Sequence, residues 1–105
     1  MKYQVTDFLN QEELLAMLAE ESAELSHAAL KLRRVMDGTN PTPVGYHLAV
    51  KRLQEEIADV FLCIEQIHCV EEDTVNMIRK QKLARWLTRL MDEREKEDAQ
   101  KHSLE

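Results

Sequence analysis

An all-α fold is what this sequence predicts, and three observations predict it. Charged residues make up 32% of the chain and aromatic residues only 5%, with two Gly and two Pro, a balance that denies strands their preferred side chains and turns. Apolar residues recur in steps of three and four through three long segments, the spacing of one helix face. A single stretch, "GTNPTPVG" from Gly38 to Gly45, is dense in turn residues and must be a loop. Three long helices with this spacing should pack as a bundle. A length of 105 residues suits one domain with one modest core. That domain is expected over residues 1–103, with Leu104 and Glu105 read as a cloning scar and set aside.

Helix one is expected from about Asn10 to Asp37. Asn10 with Glu13 three residues later makes an N-cap pair, and Gly38 is a natural residue just past the end. Its apolar rhythm runs Leu14, Leu18, Glu21, Leu25, Ala28, Leu32, Val35, and only Glu21 breaks the series. Helix two should follow from about Tyr46 to Val70, with Val50, Leu53, Ile57, Val60, Ile64 and Ile67 as its stripe. Helix three begins near Asp73 or Thr74 and carries Asn76, Lys80, Leu83, Leu87 and Leu90 in the same rhythm. Past Met91, "DEREKEDAQK" reads as a frayed, solvated helix end. Helix one alone would be about 40 Å long at about 1.5 Å per residue. Three such rods in so short a chain leave apolar surface uncovered, so a homodimer completing one bundle is expected.

The formal net charge of −6 argues against nucleic acid as a partner, since phosphate backbones are held mainly by Lys and Arg. A small phosphate ligand remains open, provided a bound cation reverses the local sign. Cys63 and Cys69 suit neither a disulfide framework nor a CxxC site, which points to reduced thiols and a cytoplasmic setting. "MKYQVTDFLN" has no apolar core of an export signal. The longest apolar run, "LLAMLA", is far short of the roughly 20 residues of a membrane span, so no membrane partner is expected.

The acids are the unusual feature. Glu21 and Glu24 lie one helical turn apart, Glu21 at the stripe centre, Glu24 at its edge and Glu20 further round the same side. On helix two, "EEIADV" places Glu56 beside the stripe and Asp59 just beyond it, while Glu55 points to solvent. If the helices pack by their stripes, Glu21, Glu24, Glu56 and Asp59 converge. Uncompensated carboxylates in one place repel one another and resist desolvation. They must be protonated, paired with Lys or Arg, or bound to a cation. Oxygen ligands without adjacent His or Cys favour a hard divalent ion, Mg²⁺ or Mn²⁺.

These motifs resemble a known family. "EESAE" followed by "EIAD" matches the EExxE…ExxD signature of the MazG-like, all-α nucleoside triphosphate pyrophosphohydrolases. "LAEESAELSHAALKLRR", "NPTP", "LQEEIADVFLCI" and "KLARW" agree with it, so the similarity extends from about Asn10 to Leu90. The resemblance implies a helical dimer or tetramer that binds Mg²⁺ and hydrolyses a nucleoside triphosphate to the monophosphate and pyrophosphate. It also implies Glu21, Glu24, Glu56 and Asp59 as metal ligands. Glu20 would either bind a further metal or help position the attacking water, with Glu24 beside it in the catalytic set. Lys82 and Arg85 of "RKQKLARW", or Lys80 nearby, would contact phosphate.

Two other readings compete. The spacings "ELSH" and "EQIH" (Glu24 to His27, Glu65 to His68) suit a di-iron bundle, but Glu65 faces away from Glu56. Alternatively, a non-catalytic helical module could pair Glu21 with Asn76 and Lys80 to fix its packing register. Trp86 is expected as a dimer or core anchor, and Tyr46 as packing or near the nucleotide base.

Overall fold

The computed structural model describes residues 2–40 and 44–104. Pro41, Thr42 and Pro43 of the expected loop, and Glu105 of the expected scar, lie outside the described residues. The described residues form a 3₁₀ turn (Val5–Asp7) and three helices, α1 (Gln11–Asp37), α2 (Tyr46–Glu65) and α3 (Glu72–Leu104), with no strand. The chain divides into two compact units, residues 1–69 and 70–105. The first holds α1 and α2; the second is α3.

Local chemistry sets both ends of α1. The Asn10 side chain accepts the Glu13 backbone N–H at 2.8 Å, and the Glu13 carboxylate accepts the Asn10 N–H at 3.2 Å. This reciprocal cap satisfies two of the N–H groups that a helix start leaves open. At the other end Gly38 sits at φ 77, the left-handed region that costs a glycine least, and its N–H returns to the Arg34 carbonyl.

The 38–45 connection is short, so α1 and α2 pack side by side and antiparallel. Gln11, at the start of α1, reaches across to the end of α2. Its side-chain amide donates to the Gln66 carbonyl at 3.1 Å and accepts from the His68 N–H at 2.8 Å. Gln66 and Ile67 meanwhile bond back to Cys63 and Ile64, the tighter turn of a helix ending. α2 therefore stops at Glu65, five residues before the Val70 that apolar periodicity suggested.

In α1 the expected row is the inward one: Leu14 and Leu32 are buried, and Leu18, Glu21, Leu25, Ala28 and Val35 are half-buried. In α2 the row is turned slightly from expectation. Ala49, Val60 and Cys63 are buried, with Ile67 just past the helix, while Ile64 is exposed. The inward row is thus Ala49, Leu53, Glu56, Val60, Cys63, Ile67, again in steps of four and three. Glu56 belongs to that row rather than bordering it.

Among the described side chains of α3 none is buried, and only Asn76 is half-buried. The helix begins at Glu72, a residue or two ahead of expectation, and runs as continuous helix to Leu104, with the "DEREKEDAQK" end exposed. None of the described helices is long and apolar enough to cross a membrane.

Candidate metal centre

Glu21 and Glu56 occupy equivalent places, each the single charged residue in an otherwise apolar inward row. Antiparallel packing of the two rows brings them together. Carboxylate oxygens of Glu21, Glu24 and Glu56 lie within 4.8 Å of one another, with Glu21 and Glu56 half-buried and Glu24 exposed. Oε2 of Glu21 and Oε2 of Glu56 are buried and have no hydrogen-bond partner. Buried acceptors are nearly always satisfied, so two orphaned ones at one spot call for an explanation.

The electrostatics agree with crowding. Burial holds the Glu21 carboxyl above its ordinary 4.5, and the charges of Glu24, Asp59 and Glu56 push the same way. Glu56 is raised likewise, by burial first, then by the charges of Glu24 and Asp59. Within the first unit, the one salt bridge among the described residues is Lys51–Glu55 at 4.0 Å, on the exposed side of α2. The acids are left unneutralised by it.

Asp59 stands outside the triad and is exposed, yet its charge acts on Glu21, Glu56 and Cys63. Glu20 is exposed on α1, one residue from Glu21. Lys80, Lys82 and Arg85 are exposed on α3, in the second unit, as is Trp86 at 55% exposure. Asn76 there accepts from the Arg79 guanidinium at 3.1 Å. Glu65 is the last residue of α2 and His68 lies in the following turn, so that ExxH pair does not share a helix face. His27 is exposed, and Tyr46 stacks edge-on against His47 with ring centroids 5.6 Å apart.

Three residues were not expected beside the acids. Cys63 is buried beside the acids, and burial together with the charges of Glu21 and Asp59 raises its thiol above the ordinary 9.0. Lys31 and Arg52 line a cavity of about 380 Å³ between α1 and α2 that Glu24 and Glu56 also line. The signal that could have found Cys63 is the row Ala49, Leu53, Glu56, Val60, Cys63, whose small and polar members score poorly as a stripe.

No family model matches the chain, and neither a curated protein nor a solved structure matches it. The centre therefore has to be judged by its own chemistry. Three carboxylates, two of them with a buried orphan oxygen, lie close enough together to hold a cation.

Proposed function

We propose that this chain is a MazG-like nucleoside triphosphate pyrophosphohydrolase that uses Mg²⁺, with Mn²⁺ as a substitute. The observation that carries the reading is the meeting of Glu21 and Glu56 from the inward rows of α1 and α2, each with an unpartnered buried oxygen. Glu21, Glu24, Glu56 and Asp59 would hold the metal. When bound, the ion supplies charge neutralisation for phosphate and a lowered pKa for water.

The chain's own groups do the rest. Water attacks the α-phosphorus, the bond to the α,β-bridging oxygen breaks, and pyrophosphate leaves as the monophosphate forms. Glu20 and Glu24, both exposed, orient the attacking water, and one of the two takes its proton. Lys80, Lys82 and Arg85 are proposed as phosphate contacts on the strength of the "RKQKLARW" resemblance.

The proposal includes a homodimer or tetramer that completes the helical bundle, in a reducing cytoplasm where both thiols stay free. Exposed apolar side chains support the assembly: Phe61 and Leu62 on α2 are 61% and 56% exposed, and Leu83, Leu87 and Leu90 recur on α3.

The test is a nucleotide panel read by pyrophosphate release, run on the wild-type chain and on Glu21→Gln. Release by the wild type with Mg²⁺ is expected. Glu21→Gln should lose at least the roughly 10–100-fold that removing even a supporting residue of a metal site costs. Saturating Mg²⁺ at about 100 times its Kd should also add about 2.7 kcal/mol to stability, reversed by chelator. A pure sample that releases no pyrophosphate and binds neither Mg²⁺ nor Mn²⁺ would refute the proposal.

A further inference from the structure

The α1–α2 cavity is bipolar. Three carboxylates line it, Glu24 and Glu56 of the acidic centre and Glu55 beside them, together with His27 and two cations, Lys31 and Arg52. Its origin is legible in the inward rows. Ala28 and Ala49 both line it, and both take row positions where neighbours along the helix are Leu25, Leu32 and Leu53. Two alanines in one layer leave room that leucines would fill. The resulting space of about 380 Å³ falls in the lower part of the roughly 300–1,000 Å³ range of small-ligand sites.

The cations in it have no partner. Among the described residues neither Lys31 nor Arg52 makes a salt bridge or a hydrogen bond; of the three carboxylates that line the cavity, Glu55 is paired with Lys51 instead. Were their task to neutralise the acids, they would close on them. A divalent ion among the carboxylates would offset two of their charges and leave Lys31 and Arg52 available to an extended anion. A phosphate chain presents oxygens to both ends at once, and guanidinium and ammonium groups bind phosphate strongly.

We infer that Lys31 and Arg52 bind the polyphosphate tail of the substrate, so that α1 and α2 supply phosphate contacts as well as metal ligands. The inference rests on the reading of the acidic centre as a metal site. It assigns the phosphate-binding role to residues outside the α3 segment to which the family resemblance points.

Inorganic tripolyphosphate is the probe, titrated calorimetrically in Mn²⁺ against the wild type, Lys31→Gln, Arg52→Gln and Ala28→Leu, with Mn²⁺ affinity measured separately by electron paramagnetic resonance. Each cation variant should weaken tripolyphosphate by about tenfold or more, the usual consequence of losing a charge-assisted hydrogen bond, while Mn²⁺ affinity stays within about twofold. Ala28→Leu, which fills the cavity and removes no charge, should weaken tripolyphosphate as well. Unchanged tripolyphosphate affinity in both cation variants overturns the inference, and so does a wild type that binds Mn²⁺ but no tripolyphosphate. Variant-sensitive tripolyphosphate binding by a chain that releases no pyrophosphate supports the inference and sinks the hydrolase. Pyrophosphate release with variant-insensitive binding does the reverse.

Discussion

The α1–α2 pair and α3 share the same apolar spacing and differ in what that spacing accomplishes. The first unit contains every buried apolar side chain among the described residues: Leu14, Leu32, Ala49, Val60, Cys63 and Ile67. α3, with 33 residues, contains none. Its helix rests on local terms instead: good helix formers such as Leu, Lys, Arg, Glu and Gln, and side-chain bonds within a turn such as Arg79 to Asn76. It also exceeds the roughly 12–15 residues below which an isolated helix is marginal. Periodicity therefore reports which face is apolar, and burial reports whether anything covers it. The acidic centre forms in the region where the rows are covered, because only there are carboxylates forced together.

The sharpest way to break the contrast is Leu14→Ala. Leu14 is 1% exposed, and emptying such a site usually costs about 2–5 kcal/mol. Urea denaturation followed by circular dichroism should show a loss of that size. A loss below about 1 kcal/mol would mean that the first unit has no real core to set against α3.

Acidity probes the same core from its charged positions. Glu21 and Glu56 are both raised above their ordinary 4.5, so the folded chain holds their protons more tightly than the unfolded one. Stability from these two groups is then lowest at neutral pH. It grows as pH falls through their raised folded values and is complete below 4.5. Asp37 behaves oppositely. Hydrogen bonds from the Thr39 hydroxyl and backbone N–H lower it beneath 3.8, so its stabilising contribution is lost only on further acidification. Metal-free protein should therefore show a rise in melting temperature between neutral pH and about 4.5, before the general loss in stronger acid. Glu21→Gln should shrink the rise. A melting temperature that only falls from pH 7 downward would show that the two carboxyls are not crowded.

How much of this was legible in the sequence follows from the same distinction. α1 was legible to the residue, because Asn10, Glu13 and Gly38 act on their immediate neighbours and the Glu21 break stands in a clean apolar row. The end of α2 was not. "EQIHCV" holds no glycine or proline, and the helix is closed there by a side-chain clamp from Gln11, 55 residues earlier. The inward row of α2 was misjudged by a fraction of a turn, since Ala49, Glu56 and Cys63 look less apolar than Val50, Ile57 and Ile64. Glu56 consequently sits deeper than its sequence neighbours implied. Lys31 and Arg52 were invisible as a pair, because only the antiparallel packing of α1 on α2 brings them to one cavity.

The smallest effect is the most discriminating for α3. Leu87 is 51% exposed, and alanine is the best helix former, so Leu87→Ala should change stability by less than about 0.5 kcal/mol in dilute solution. At concentrations where a second copy covers the Leu83, Leu87, Leu90 row, the cost should climb toward the roughly 2 kcal/mol of a large-to-small change at a packed position. Denaturation at two protein concentrations, with sedimentation to report association, separates the cases. A large cost at both concentrations would mean the row is already covered within a single chain, and the contrast with α1 and α2 would fail. No cost at either would leave the row without a partner and remove the dimer, while the acidic centre between α1 and α2 would stand unchanged.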